Sequence, residues 1–111
     1  MASFDASELK DHYDKHRTDF SVANQSEYEK LADRFLSGPW RADLKQCKRK
    51  LGDLVRYDVA THEFGILSAT GVIRSYFKPI PCASLPVGVP KVNCHNHLDN
   101  IAYYNEACLQ W

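Results

Sequence analysis

Two histidines lie one helical turn apart near the start of the chain. Leu9, His12, Tyr13 and His16 follow the i, i+3, i+4, i+7 spacing of one helix face. An imidazole titrates near neutral pH and can accept or donate a proton, so His12 and His16 could perform general acid–base chemistry. The same spacing also fits two buried, hydrogen-bonded histidines on a packed face. A zinc site of the metalloprotease type is not indicated, because the residues between the two histidines lack the glutamate of that motif.

Basic side chains are concentrated in the middle of the sequence. The 111-residue chain has a formal net charge of zero, but residues 39–78 carry eight basic and four acidic side chains, and residues 1–38 carry five basic and eight acidic ones. A local cationic field is what an RNA phosphate backbone requires. The segment from Trp40 to Lys50, which contains Lys48 and Arg49, is interpreted as a basic connector with a strand or a turn of helix. It could contact phosphate or an acidic protein, or be a solvated loop.

Two helices are predicted to precede this basic region. Asp5, with Glu8 three residues later, has the spacing of a capping box and predicts a helix that carries both histidines. Ser26 with Glu29 predicts the start of a second helix in the same way, and the Gly-Pro pair at 38–39 ends it. The catalytic candidates on the first helix therefore need a surface to pack against.

Three strands are predicted to supply that surface. Alternating apolar and polar residues indicate strands over residues 53–59, 63–67 and 72–77, which two turns join into an antiparallel sheet. Successive side chains of the last strand are expected on opposite faces, with Ile73, Ser75 and Phe77 on one face and Val72, Arg74, Tyr76 and Lys78 on the other. Neither face is wholly apolar, which is expected where one side of a sheet lines a solvent-facing cleft.

The last third of the chain has a different composition. We expect one domain over residues 1–111, with a core of about residues 5–79 and an irregular C-terminal extension over 80–111 that ends in a short helix. Cysteines stand at Cys47, Cys82, Cys94 and Cys108. An even number of cysteines in a small chain indicates a disulfide among the last three, with free thiols as the alternative. A zinc site is a further alternative, because His97 follows Cys94 at a Cys-x-x-His spacing.

Membrane insertion is not indicated by the sequence. No apolar stretch approaches the ~20 residues that a membrane-spanning helix needs. The first residues lack the basic and then apolar pattern of a secretory signal. We therefore expect that any export depends on another part of a larger protein.

Several of these segments together resemble a known group of toxins. His12-x-x-Lys15-His16-x-x-Asp19-Phe20, followed by the strand segments 52–58, 63–65 and 71–79, resembles the C-terminal toxin domains of bacterial polymorphic and contact-dependent growth inhibition systems. The Lys-His-x-x-Asp-Phe element is similar to that of the colicin D nuclease. The wider group includes barnase and the RelE toxins, and the resemblance implies an α+β fold with N-terminal helices packed on a small antiparallel sheet. It covers about residues 9–79, so the cysteine-containing extension lies outside it.

The resemblance implies roles for individual residues. His16 would be the general acid or base, with His12 as a second proton-transfer or positioning group. Four further residues would stabilise the pentacoordinate phosphorus or contact the scissile phosphate: Lys15, Arg56, Ser75 and Lys78. Other polar, aromatic and cationic side chains of the sheet and connector would bind substrate: Tyr57, Arg74, Tyr76, Lys48 and Arg49. No metal or cofactor is implied.

The sequence therefore predicts a metal-independent endoribonuclease toxin with tRNA as the expected substrate. Such a domain would be exported within a larger bacterial toxin, act in the cytoplasm of a competing cell and be neutralised by a cognate immunity protein, for which charge complementarity predicts an acidic surface. One alternative is a non-catalytic module that binds RNA or protein. Another is a small interaction domain stabilised by zinc at Cys82, Cys94, His97 and Cys108.

Overall fold

The computed structural model describes residues 2–109 and has an α+β fold. The elements in chain order are β1 (Ser3–Phe4), α1 (Ala6–Phe20), α2 (Gln25–Ser37), β2 (Leu44–Lys48), β3 (Leu54–Asp58), β4 (Phe64–Leu67), β5 (Val72–Phe77), β6 (Ile80–Pro81), β7 (Cys94–His95) and α3 (Asn100–Leu109). A single 3-10 turn at Cys82–Ser84 follows β6. None of the helices within 2–109 has the length and apolar character to span a membrane.

Side-chain caps fix where the first two helices begin. The Asp5 carboxylate accepts a hydrogen bond from the Ser7 N–H at 3.0 Å, so α1 starts where the sequence predicts. The predicted start of α2 at Ser26 is wrong by two residues, because the Asn24 side chain accepts from the Glu27 N–H at 2.9 Å and is the N-cap. The helix ends at Ser37 with Gly38 as its C-cap, as predicted.

The main sheet has five strands in the order β1-β5-β4-β3-β2. The three predicted strands are confirmed as β3, β4 and β5, and the basic connector contributes β2 at one edge. Adjacent pairs are antiparallel except β1 and β5, which are parallel and pair only at Ser3 with Val72 and at Phe4 with Ile73.

A register shift in the pairing of β4 and β5 changes the predicted faces of β5. Ile66 pairs with Ser75, whereas Leu67 pairs with Ile73, so Arg74 is the extra residue of a β-bulge. Ile73 therefore packs in the same cluster as Tyr76, and the prediction that it shares a face with Ser75 is wrong. A one-residue shift reverses the faces because side chains alternate along a strand.

Each face of the sheet packs against helices. The first face, with α1 and α2, buries a cluster that includes Phe4, Tyr28, Leu36, Ile73 and Tyr76. The second face buries a smaller cluster from β3 and β4, and Tyr104 and Ala107 of α3 complete it. The C-terminal helix thus covers part of a sheet face that was predicted to line a solvent-facing cleft.

Two disulfides connect the C-terminal region to itself and to the sheet. Cys82 and Cys94 join β6 to β7, and Cys47 and Cys108 join β2 to the last turn of α3. The predicted disulfide among the last three cysteines is confirmed as the Cys82–Cys94 bond, and Cys108 pairs with the cysteine of the basic connector. The zinc-stabilised alternative is wrong, because its three cysteines are oxidised and hold no thiolate for a metal.

Candidate active site

The two histidines of α1 lie where this helix packs against β5. The His16 ring stacks on Phe77, with 5.1 Å between ring centroids and an interplanar angle of 22°. The His12 ring lies 6.2 Å from that of His16 and 5.1 Å from that of Phe4. The helix periodicity therefore places both imidazoles on the packed face, as the sequence predicts.

The Nδ1 atoms of both histidines are buried without a hydrogen bond from the described residues. His16 is 7% exposed, yet its Nδ1 has no hydrogen-bond partner among residues 2–109, and the same is true of the buried Nδ1 of His12. Buried polar atoms in proteins are normally paired, and exceptions often occur where a group serves chemistry. The structural alternative for these histidines required hydrogen bonds, which the described part of the chain does not supply at either Nδ1.

The groups around His16 shift its pKa in opposite directions. Burial lowers the pKa of His16, and the Asp19 carboxylate and the Asn93 side chain offset part of that effect. Burial also lowers the pKa of His12, and the Glu8 carboxylate opposes it. Burial therefore favours the neutral form of both imidazoles, which is the form that can accept a proton.

Asp19 connects the end of α1 to β5 and to the C-terminal extension. Its Oδ2 accepts a hydrogen bond from the Lys78 backbone N–H at 3.1 Å and from Asn93 Nδ2 at 2.6 Å. The Lys78 ammonium lies over the Phe20 ring, 5.5 Å from its centroid. One carboxylate thus fixes a cationic residue and an amide beside His16, although the three segments are far apart in sequence.

A row of aromatic rings continues from His16 across the second face of the sheet. Phe77 lies 6.3 Å from Tyr103, and Tyr103 stacks on His95 at 4.5 Å, all between ring centroids. Burial raises the pKa of Tyr103, and the positive charge of Arg49 acts in the opposite direction. Arg49 is 9% exposed, and its buried Nε has no hydrogen-bond partner in the described segment.

His95 differs from His12 and His16 because protein groups satisfy its ring nitrogens. Its Nδ1 accepts from the His97 backbone N–H at 3.2 Å, and its Nε2 lies 2.8 Å from Asn100 Oδ1. These partners fix the tautomer with the proton on Nε2. His95 is therefore a structural residue, and the histidines of α1 are the ones available for proton transfer.

The structure brings together part of the predicted site. His12, His16 and Lys78 gather where α1 meets the end of β5, and Ser75 lies on β5, half-buried, on the face that Phe77 shares. Arg49 directly follows β2 at the end of the sheet where Leu54, Leu67 and Ile73 pair, away from Phe77. The arrangement offers a neutral imidazole, a hydroxyl and positive charge, which suits proton transfer at a phosphodiester.

Arg56 points to the face of the sheet that packs against α1 and α2. Its Nη1 donates to the backbone carbonyls of Phe35 at 3.0 Å and Gly38 at 2.6 Å, and its Nε donates to the Gln46 side chain at 2.9 Å. The guanidinium therefore satisfies carbonyl groups at the C-terminus of α2. These hydrogen bonds occupy the guanidinium and give Arg56 a structural role.

The two candidate tyrosines are buried in the clusters on either side of the sheet. Tyr57 is 3% exposed and its hydroxyl lies 3.2 Å from His62 Nδ1, whereas Tyr76 is fully buried and donates its hydroxyl to the Glu63 carboxylate. Burial raises the pKa of both phenols. Substrate cannot reach these rings without unpacking the core.

The other candidates are on the surface. Lys15 pairs with Asp11 at 3.0 Å on the solvent side of α1, and Arg74 pairs with Asp53 at 3.2 Å. Lys48 is exposed on β2. Their charges can contribute to a field that attracts RNA, but the structure does not gather them around His16.

Asp19, Asn93 and Tyr103 are site residues that the sequence reasoning did not select. Asp19 belongs to the Lys-His-x-x-Asp-Phe element, so that motif contained a signal for it. Asn93 and Tyr103 lie in the extension, outside the resemblance, and no local pattern indicates that they return to α1 and β5.

Comparison with known proteins gives a fold but no family. No family model and no curated protein matches the chain. Among solved structures, a ribonuclease from Escherichia coli complexed with its inhibitor protein is similar, with a TM-score of 0.50 and 21% sequence identity over 68% of this chain and 87% of that chain. The chain shares the fold of that ribonuclease. The predicted α+β class, with helices packed on a mostly antiparallel sheet, is confirmed.

Proposed function

We propose that this domain is an endoribonuclease in which His16 transfers a proton during cleavage of the RNA backbone. The observation that carries the proposal is the buried imidazole of His16, whose Nδ1 has no hydrogen-bond partner among residues 2–109 and which lies against Phe77 beside Asp19 and Asn93. The ribonuclease fold supports the same assignment. A histidine in this state can take or give a proton near neutral pH.

The cleavage reaction needs two proton transfers and stabilisation of negative charge. A base removes the proton of a ribose 2′-hydroxyl, the oxygen attacks the adjacent phosphorus, and the bond to the 5′-oxygen breaks as an acid protonates that leaving group. The products are a 2′,3′-cyclic phosphate and a free 5′-hydroxyl. His16 performs one transfer, and His12 is the candidate for the other because its ring lies 6.2 Å away. Lys78 supplies positive charge for the phosphoryl oxygens without requiring a metal.

The biological role follows from the resemblance of the Lys-His-x-x-Asp-Phe element to toxin nucleases. The domain would be released from a larger exported bacterial toxin, cleave tRNA in the cytoplasm of a competing cell and be blocked by a cognate immunity protein. The similar ribonuclease of known structure is itself bound to an inhibitor protein. Residues 39–78 carry eight basic and four acidic side chains, so an acidic inhibitor surface would complement this part of the chain.

Total bacterial tRNA tests the activity directly. The purified protein is incubated with tRNA in EDTA and the products are separated on a denaturing gel, with His16→Ala and Lys10→Ala beside the wild type. Lys10 is on the same helix but exposed and paired with Asp14 at 2.6 Å, so its removal controls for general damage to α1. Wild type and Lys10→Ala should give the same discrete fragments, and His16→Ala should be slower by about 10²–10⁴-fold.

Other outcomes of this experiment favour different functions. Intact RNA in all lanes, with RNA bound equally by wild type and His16→Ala, would support a non-catalytic binding module. Cleavage by the wild type that EDTA abolishes would refute the metal-independent mechanism. Fragments from His16→Ala at the wild-type rate would remove His16 from the reaction.

A further inference from the structure

A cavity of about 550 Å³ lies between the end of α1, the end of β5 and the C-terminal extension. The extension contributes most of its wall, through proline and aliphatic side chains that include Leu85, Val89 and Val92, and the polar part contains Asp19, Lys78 and Asn93. The volume is within the usual range for sites that bind small molecules or single groups of larger ligands. These walls come from residues outside the segment that resembles toxin nucleases, so the cavity is a feature of this chain.

The cavity is continuous with the candidate active site. Asp19 and Asn93 line the cavity, and Asn93 Nδ2 donates a hydrogen bond to Asp19 Oδ2 at 2.6 Å. Both side chains also raise the pKa of His16. Lys78 also lines it and directly follows Phe77, on which His16 stacks. A ligand group in the cavity would therefore lie next to a phosphate held between Lys78 and His16.

Besides the Lys78 ammonium, His62 and Asn100, the cavity lining contains the acceptor oxygens of Asp19 and Asn93. Asn93 Oδ1 is buried without a hydrogen-bond partner among the described residues. The amide nitrogen of the same side chain donates to Asp19. The Asp19 carboxylate is a further acceptor. A ligand that fits must present N–H donors on a flat apolar body, since the remaining wall is aliphatic.

We propose that this cavity holds one unpaired base of the RNA substrate beside the cleaved phosphate and selects bases that carry an exocyclic amino group. The inference rests on the proposed ribonuclease function and names the specificity site for it. Adenine, cytosine and guanine have an exocyclic amino group to donate to Asn93 Oδ1 or Asp19, whereas the N3–H donor of uracil is flanked by two carbonyl oxygens that would face these acceptors. An unpaired base of single-stranded RNA is free to leave the stack and enter such a site.

The disulfide of the extension keeps the cavity in place. Ile80 pairs with Cys94 and Pro81 with His95, and the Cys82–Cys94 bond closes the intervening segment that carries Leu85, Val89 and Val92. The wall is thereby attached at both ends next to Lys78. A base in the cavity would meet a preformed surface, which reduces the entropic cost of binding.

Filling the cavity provides the test. Fluorescein-labelled 2′-O-methyl hexanucleotides of A, C and U lack the attacking hydroxyl, so their affinity for the intact protein is measured by anisotropy without cleavage. Val89→Trp and Val92→Trp each place a large ring at the cavity wall from a position that is 45% or 51% exposed, so either can be made without disturbing the core. Val87→Trp is the matched control, because Val87 lies in the same segment, is fully exposed and does not line the cavity.

The wild type and Val87→Trp should bind the A or the C hexanucleotide about tenfold more tightly than the U hexanucleotide, the ratio expected for one buried hydrogen bond. Both cavity-filling variants should lose this preference while keeping a wild-type circular dichroism spectrum. Equal affinity for all three oligonucleotides, or an unchanged preference in both filled variants, would overturn the proposal. An unchanged preference would instead fit a cavity that receives an apolar side chain of a protein partner.

A second measurement separates this inference from the ribonuclease function. Wild type and the three tryptophan variants are incubated with a mixed-sequence RNA, and the fragment ends are sequenced. Base preference in binding without any cleavage would contradict the ribonuclease function and leave the cavity assignment standing. Cleavage with no base preference near the cut, unchanged in Val89→Trp and Val92→Trp, would contradict the cavity assignment alone.

Discussion

The two disulfides should have opposite effects on stability and on activity. Cys47 and Cys108 join the edge strand β2 to α3 across a sequence separation of 61 residues, on the side of the sheet away from α2. Cys82 and Cys94 are separated by 12 residues and hold the segment next to Asn93. The perturbation is the removal of one bond at a time, in the Cys47→Ala/Cys108→Ala and Cys82→Ala/Cys94→Ala double variants.

The sequence separations set the expected change in stability. Loop-closure entropy in the unfolded chain predicts a loss of about 4 kcal/mol for the long loop and about 3 kcal/mol for the short one. The long-loop variant also loses the attachment of α3 over the second cluster, where Tyr104 and Ala107 are buried. A domain of this size has a free energy of unfolding of about 5–15 kcal/mol, so both variants should still fold at low temperature.

Activity should follow the reverse order. Asn93 immediately precedes Cys94 and lies beside His16, so loss of the short-loop bond frees a residue of the site. Displacement of catalytic groups by about 1 Å can reduce the rate 10²-fold, and we expect kcat/KM to fall by about tenfold or more in the short-loop variant. The long-loop variant should stay within about twofold of wild type when fully folded, because α1 and the end of β5 are untouched.

Urea unfolding and initial rates of RNA cleavage, both on the same protein samples, give the comparison. The reasoning is wrong if the short-loop variant is the less stable of the two, or if the long-loop variant is the less active one at a temperature where both are folded. Wild type treated with reductant should show both effects together.

Three further predictions concern single side chains. Arg56→Ala should reduce the free energy of unfolding by about 2–3 kcal/mol by leaving buried carbonyls at the end of α2 unpaired, yet keep the kcat of the folded protein, as urea unfolding and active-site titration would show. Lys15→Ala and Lys10→Ala each lose one exposed ion pair of α1, so a larger rate loss for Lys15→Ala in a cleavage assay would reveal phosphate contact by Lys15. Because the fold lowers the pKa of His16, stability should fall as the pH drops below about 6.5, where the unfolded chain takes up the proton first. His16→Ala should make this fall shallower in urea titrations at several pH values.

Local patterns were sufficient for the helices, the strands and the position of His16. Helix periodicity puts His12 and His16 on the packed face of α1, and alternation locates β3, β4 and β5. These features depend on nearest neighbours in sequence, which is why they can be predicted without an alignment. The cap of α2 was misplaced because Asn24 and Ser26 are both good N-cap residues and only the chain path selects between them.

The roles of individual strand residues were not predictable in the same way. A bulge at Arg74 changes which side chains share the face with Phe77, and no sequence signal marks a bulge without a glycine. Arg56 matches the expected pattern of an active-site cation, but its hydrogen bonds go to the end of α2 and to the Gln46 side chain. Such outcomes depend on packing between distant segments.

Most of the structural features that the sequence did not predict lie in the C-terminal extension. Its irregular composition gives no periodicity, so the return of Asn93 to Asp19 and the packing of α3 on the sheet depend on contacts more than 40 residues apart in the chain. The pairing of Cys47 with Cys108 likewise depends on the tertiary fold, since sequence spacing alone allows several pairings.

The pH dependence of RNA cleavage, combined with the titration of His16, tests the central claim most directly. kcat/KM for one RNA oligonucleotide is measured from about pH 5 to about pH 9 in wild type and in His16→Ala, and the His16 imidazole is titrated by NMR over the same range. If His16 accepts the proton, the acidic limb of the wild-type profile should coincide with the NMR pKa, below the ordinary histidine value of about 6.5, and disappear in His16→Ala. A wild-type profile without that limb, or a His16→Ala protein that retains both the limb and the rate, would contradict the assignment of His16 as the base.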